Sequence, residues 1–173
     1  MNHVVLFHPE IPQNTGNIMR TVMAIEAKLH IIGPLPFKLN DETIKRTGLD
    51  YRDHLQYVYY ESFEKFMQLN HQPTLYCITR YGNKIYTEMP ISNPIQDHYF
   101  LFGSESSGLT DEILKANQEH LYRIPMSILA RSLNLSNCVA LVLYDVLRQQ
   151  NFPGLATKEI LKGENFLDKK LNQ

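Results

Sequence analysis

Apolar residues along this chain follow two rhythms. Short β-branched or aromatic runs alternate with longer stretches of helical period from start to end. The short runs predict strands over residues 3–7, 29–32, 57–60, 74–79, 99–102 and 121–124. The periodic stretches predict helices over residues 15–27, 41–47, 62–69, 111–117 and 136–150. Such alternation predicts an α/β fold, a mainly parallel sheet with helices on both faces. Ligands on sheets of this kind bind beyond the carboxyl ends of strands, where strand order reverses.

Two helices carry more information than their period. In the first, Ile18, Val22, Ile25 and Leu29 form one stripe, while Asn17, Arg20, Thr21 and Lys28 lie elsewhere. Asn14 is placed as its N-cap, and Gly16 allows close approach of backbone or ligand. Arg20 follows Asn17 by three residues and shares its face. Read alone, the segment is either a capped helix with a solvated arginine or the polar mouth of a binding site. The last helix is apolar almost all round, with Val139, Leu143 and Val146 on one side and Ala140, Tyr144 and Leu147 on another. It should be buried on more than one face, either against a second copy of the chain or inside the core.

Composition narrows the class. The 173 residues suit one compact domain, and 43% hydrophobic with 20% charged residues is ordinary for a globular protein. No signal peptide and no membrane span are expected, since the longest apolar run, 139–144, is far too short. Two scattered cysteines, Cys77 and Cys138, suit a reducing compartment and a cytoplasmic location. The net charge of −1, from 17 basic and 18 acidic residues, does not advertise an extended nucleic-acid surface. Lys38, Lys45, Arg46 and Arg52 are cancelled by Asp41, Glu42, Asp50 and Asp53. Any RNA would bind through a local patch or a combined dimer surface.

Two further clusters could carry chemistry. In FLFGSESSGLTDEI, residues 100–113, a strand ends at Gly103, a polar loop carries Glu105, and Thr110 or Asp111 caps the next helix. A P-loop reading fails because Leu109 stands where the phosphate-binding lysine is needed. A nucleophile elbow around Ser106 lacks its first glycine, although Asp111 and His120 follow in hydrolase order. In RIPMSILARSLNLSNCVAL, residues 123–141, a strand stops before Pro125, and a polar-apolar loop leads into the last helix. That loop is either a turn capped by Ser136 or one wall of a site for a flat heterocycle, lined by Ile124, Met126 and Leu133. The seven histidines form no metal-ligand spacing, so no metal is expected.

Taken in order, the three clusters resemble the motifs of the SPOUT superfamily of RNA methyltransferases. NTGNIMR is similar to N-x-G-x-x-x-R, FGSESSGL to F-G-x-E-x-x-G-L, and IPM with RSLNLS to I-P-M…S-L-N-x-S. The lead-in LFHPEIPQNTGNIMRT and the later IKRTGLDY resemble the TrmL/YibK-like group, which methylates the wobble nucleotide of tRNA. The resemblance covers residues 1–154 as one domain and leaves a polar, Lys-rich tail at 155–173. It implies an α/β fold with a C-terminal trefoil knot, an exception to the unknotted rule. It also implies S-adenosylmethionine as methyl donor and a homodimer formed through the first and last helices.

Carried over residue by residue, the resemblance puts Ile78, Thr79, Gly103, Ile124, Met126, Ser132 and Leu133 at the cofactor. Asn14, Arg20, Glu105 and Asn134 match the polar catalytic positions, and Arg20, Ser132 and Tyr144 are expected to meet substrate. The implied reaction is 2′-O-methylation of a wobble cytidine or 5-substituted uridine in the tRNA anticodon loop, with tRNA-Leu as the expected substrate. Ribosomal RNA is the rival substrate, and a serine hydrolase or a non-catalytic RNA-binding module are rivals of other classes. The ribose 2′-oxygen would attack the sulfonium methyl in line, releasing S-adenosylhomocysteine and giving up its hydroxyl proton, a step that needs no metal because the cofactor brings its own leaving group. Guanidinium stays protonated in proteins, so Arg20 is assigned to the 3′-phosphate and the developing alkoxide rather than to base catalysis.

Overall fold

The computed structural model describes residues 1–39 and 56–172. The helix expected at 41–47 lies outside them.

Seven strands, β1 (Asn2–Phe7), β2 (Lys28–Ile32), β3 (Tyr57–Tyr60), β4 (Leu75–Ile78), β5 (Lys84–Ile85), β6 (His98–Phe102) and β7 (Leu121–Arg123), form one sheet. Their order is β3-β2-β1-β6-β4-β7-β5 and every pairing is parallel. Strand order reverses beside β1, whose neighbours are β2 on one side and β6 on the other. The helices are α1 (Pro12–Ala24), α2 (Phe63–Leu69), α3 (Asp111–Ala116), α4 (Leu135–Gln149) and α5 (Phe166–Leu171).

Both faces of the sheet are covered, because consecutive residues of a strand point to opposite sides. Val4 and Leu6 join Ile18 and Val22 of α1 and Val139 and Leu143 of α4 in one core. Val5 and Phe7 join Phe66 of α2 and Ile113 of α3 in the other. A parallel sheet buried this way reads as near-continuous apolar runs, which is why β1, β2 and β6 were legible.

The structure corrects two helix starts and the burial of the last helix. Helix α1 begins at Pro12, with Ile11 at the N-cap and no side-chain cap, so Asn14 lies inside the first turn rather than capping it. Proline is favoured at that first position because its missing N–H would have no partner there anyway. Helix α4 is capped by Asn134, not Ser136: the Asn134 Oδ1 accepts from the Ser136 N–H at 2.9 Å and the Ser136 hydroxyl at 2.7 Å. Within one protomer α4 is buried on a single broad face, for Leu141 and Tyr144 stay 42% and 50% exposed. Strand β5 and helix α5 carried too few residues to announce themselves.

A buried polar chain links β1, β2 and β3. The His3 Nδ1 lies 2.9 Å from His30 Nε2, and His30 Nδ1 lies 2.9 Å from the Tyr60 hydroxyl. Burial lowers His3 from 6.5 to about 4 and His30 to about 3. For His3 the nearby Asp97 carboxylate opposes the shift. Packing ends at Leu155, beyond which every described residue is exposed. Among the described residues no helix is long and apolar enough to cross a membrane. Cys77 and Cys138 are both free thiols.

Candidate active site

The carboxyl ends of β4, β6 and β7 open into a cavity of about 510 Å³. Its apolar walls come from Ile78, Phe102, Leu109, Ile124 and Leu135, and its polar rim from the loops after β6 and β7. All seven residues expected at the cofactor, Ile78, Thr79, Gly103, Ile124, Met126, Ser132 and Leu133, line this one cavity. Glu105 and Asn134 line it too, whereas Asn14, Arg20 and Tyr144 do not.

The loop after β6 is fixed by its own backbone. Ser104 and Gly108 exchange N–H to carbonyl bonds of 3.1 and 3.0 Å, closing a tight turn over Gly103. A Cβ on Gly103 would lie 2.2 Å from the Gly108 carbonyl carbon, so only glycine fits under this turn. The Ser104 and Ser107 hydroxyls bond to each other at 2.7 Å. The turn therefore presents Glu105 toward the start of α1.

Glu105 is the hub of the site. One carboxylate oxygen accepts from the Glu10 N–H at 2.8 Å. The other accepts from the Ile11 N–H at 3.2 Å and from the Asn14 amide at 2.9 Å. Asn14 in turn accepts through its Oδ1 from the Asn134 amide at 2.9 Å. Three residues from separate segments, the loop after β6, the first turn of α1 and the start of α4, thus form one chain, Glu105–Asn14–Asn134, whose far end caps α4. Asn14 is 5% exposed, and its amide is engaged at both its nitrogen and its oxygen.

A second carboxylate answers the first. Glu10 accepts from the Ser106 N–H at 3.1 Å and from the Ser106 hydroxyl at 2.5 Å. The two acidic residues reach across the β1–β6 junction in opposite directions and clasp one loop to the other. Sequence reasoning passed over Glu10, and also Arg80, Tyr81 and Arg131, which line the cavity. The signal for Glu10 was its place in the lead-in to the first motif, but only contact with Ser106 gives it a task.

Arg20 is exposed on α1, six residues and thus roughly 9 Å along the axis from Asn14. Tyr144 is exposed on α4, which packs beside α1. Neither serine of the loop is paired with a histidine: Ser106 is bound to Glu10, and His120 packs edge-on against Tyr76 at 5.9 Å. The hydrolase reading has no nucleophile–base pair here. No group of three or more His, Cys, Asp or Glu suited to a metal occurs among the described residues.

An open parallel sheet, with a mixed apolar and polar cavity roofed by loops beyond its strand ends, defines a doubly wound α/β protein built to hold a small ligand. The model of the SpoU rRNA Methylase family matches residues 1–144, and the chain belongs to that family. It is similar to a Listeria monocytogenes protein named as a candidate tRNA (cytidine(34)-2'-O)-methyltransferase. The two are 47% identical over 154 residues, 89% of this chain and 91% of the relative. A solved structure of a candidate RNA methyltransferase from Bacillus anthracis superposes with a TM-score of 0.86. It is 46% identical and covers 92% of this chain and 100% of its own. Another, described as giving insight into 2-OH methylation of C/U34 on tRNA, superposes with a TM-score of 0.79 at 37% identity. It covers 87% of this chain and 97% of its own.

Proposed function

We propose that this protein is an S-adenosylmethionine-dependent tRNA methyltransferase that modifies the ribose 2′-hydroxyl of the wobble nucleotide, a cytidine or 5-substituted uridine, with tRNA-Leu as substrate. The observation that carries the reading is the convergence of Ile78, Gly103, Ile124, Met126 and Leu133 on one cavity whose polar wall is tied through Glu105 and Asn14 to helix α1. The names of the relatives support the substrate.

The cavity suits a nucleoside-bearing sulfonium. Its volume is in the range of ligand pockets, its walls are apolar, and loop backbone lies along its rim. Ile78, Ile124, Leu109 and Leu135 would enclose the adenine, while Gly103 and the backbone of Ser132 and Leu133 would meet polar groups. When bound, S-adenosylmethionine supplies an electrophilic methyl with its own leaving group. The chain supplies alignment and charge. Glu105 fixes Asn14, Asn134 fixes its other end, and α1 carries Arg20 to the RNA. There the guanidinium holds the 3′-phosphate in bidentate fashion and stabilises charge developing on the ribose oxygen. Ser132 and Tyr144 approach the substrate from the cofactor loop and from α4.

The catalytic unit is residues 1–154, and its loops after β6 and β7 form the trefoil knot of the family. It works as a cytoplasmic homodimer, with Leu141 and Tyr144 of α4 covered by the second copy beside α1. Residues 155–173 stand outside that unit, as the full exposure after Leu155 suggests. Ribosomal RNA is the alternative substrate, favoured by the description of the matching family.

The deciding experiment incubates the protein with S-adenosylmethionine and unmodified tRNA, then analyses nucleosides by mass spectrometry beside Arg20→Ala. A new 2′-O-methylated wobble pyrimidine, lost in the variant, is expected. Cofactor binding without transfer to any tRNA would redirect the search to ribosomal RNA. No cofactor binding at all would overturn the reading.

A further inference from the structure

Next to the last residue of the β4 cavity wall stands a pair that the reaction does not use. The Arg80 guanidinium carbon lies 5.2 Å from the centroid of the Tyr81 ring, in cation–π contact. Both residues line the cavity, yet Arg80 is exposed and Tyr81 is 62% exposed, so the pair sits at the mouth. An aromatic ring of this size left mostly in water contributes little to folding. It is more informative as a contact surface.

The turn beneath the pair is held rigidly. The Thr79 N–H donates to the Tyr122 carbonyl at 2.8 Å, anchoring the turn to β7. The Tyr81 N–H donates to the Thr79 hydroxyl, and the Gly82 N–H to the Thr79 carbonyl, each at 3.3 Å. Gly82 lies so close to β7 that a Cβ would fall 2.6 Å from the Tyr122 carbonyl carbon. The ring is therefore presented on an ordered support. Ordering it in advance removes an entropic cost from binding.

Charge makes the pair more telling. With a net charge of −1 the protein cannot gather RNA by its overall field. Affinity for single-stranded RNA must then come from local stacking platforms and individual guanidinium groups. Arg80 and Arg131 bring two cations to the rim of the cavity, and Tyr81 brings an aromatic face.

We propose that Arg80 and Tyr81 form a stacking platform for an unpaired base flanking the methylated nucleotide, making Tyr81 an affinity-determining contact of the RNA loop. The inference rests on the proposed RNA substrate and adds a site to it. Arg80 caps one face of the ring and neutralises the adjoining phosphate, while the base covers the other face.

The test measures binding of a fluorescent anticodon stem-loop RNA by anisotropy at fixed salt, beside binding of S-adenosylmethionine. Tyr81→Ala should weaken RNA binding about tenfold or more whether or not S-adenosylmethionine is present, whereas Tyr81→Phe should bind as wild type. Replacing each loop nucleotide in turn by an abasic one should reveal one position whose loss weakens the wild type similarly but costs Tyr81→Ala nothing further. Unchanged RNA binding by Tyr81→Ala, or abasic losses that add at every position, would overturn the platform. So would a loss of cofactor binding alone. Because binding is read without turnover, failure of the platform is distinguished from failure of the methylation reading.

Discussion

Glu105→Gln tests the hub of the site with the smallest change of shape. The carboxylate accepts three bonds, at 2.8, 3.2 and 2.9 Å, all from N–H donors. Glutamine keeps one acceptor oxygen and turns its amide toward a donor that then has no partner. If the oxygen stays on Ile11 and Asn14, the Glu10 N–H faces an N–H; if it turns to Glu10, two donors are lost. Bonds to a charged acceptor contribute about 1.5–3 kcal/mol each, so the variant should lose about 2–4 kcal/mol of stability. Urea denaturation monitored by circular dichroism measures that loss.

Activity should fall further than stability predicts. Either the Glu10 N–H ahead of α1 loses its partner or Asn14 loses one of its two fixed ends, and in both cases the anchor of the helix that carries Arg20 is weakened. Turnover measured at a temperature where the variant remains folded should drop at least about tenfold, because misplacement by about 1 Å can cost a hundredfold. A double-mutant cycle with Asn14→Ala isolates the pair, and a coupling of about 1–2 kcal/mol is expected. If Glu105→Gln lay within about 0.5 kcal/mol of wild type and turned over normally, the clasp would not organise the site.

Gly103→Ala should abolish cofactor binding measured by calorimetry and destabilise the fold, since its Cβ meets Gly108 backbone at 2.2 Å; an intact affinity would refute the packing argument. Arg20→Lys should keep the charge but lose at least about tenfold in kcat/KM, because an ammonium cannot replace bidentate phosphate contact; near-normal turnover would disprove that role. Stability should fall as pH drops from about 6.5 toward 4, because His3 and His30 stay neutral in the fold while the unfolded chain takes up their protons. The slope per histidine approaches about 1.4 kcal/mol per pH unit, and a urea midpoint flat between pH 7 and 5 would contradict it. Removing residues 156–173 should leave the unfolding free energy from urea denaturation within about 0.5 kcal/mol of wild type, since none of the described residues there is buried; a larger loss would place part of the tail in the core.

The sheet was legible because parallel strands buried on both faces leave unbroken apolar runs. β1, β2, β3 and β6 were read nearly to the residue, and β4 and β7 were each read slightly too long. The two-residue β5 is too short to have a period. The cavity lining was legible through the resemblance of three motifs, which fixed positions that no rhythm marks. Capping was misread at α1 and α4 for one shared reason. Asn14 and Ser136 are good capping residues by type, but in the folded chain a carboxylate from the loop after β6 and the amide oxygen of Asn134 reach those helix starts. Local preference lost to partners that lie 94 residues away in the first case and two in the second. Arg80 and Tyr81 escaped notice because a turn residue's exposure at a cavity mouth is not written in its neighbours.

The displaced cap explains why the first motif carries so many polar residues at a helix start. A helix of 13 residues offers unpaired N–H groups and a partial positive charge at its beginning. An N-capping asparagine would spend its amide oxygen on those groups, and the Asn14 oxygen is the atom that accepts from Asn134. Here Pro12 removes one donor outright, and the Glu105 carboxylate engages the Glu10 and Ile11 N–H groups just ahead of the helix. Negative charge is favoured there, so anchoring the helix and holding Asn14 are one interaction. Asn14 is released to join Glu105 and Asn134, and with it the loop over the cofactor cavity is coupled to the helix that carries Arg20. The coupling has a chemical consequence. A change in the loop that moved Glu105 would move α1 by the same contact, so the cavity and the placement of Arg20 share one structural element.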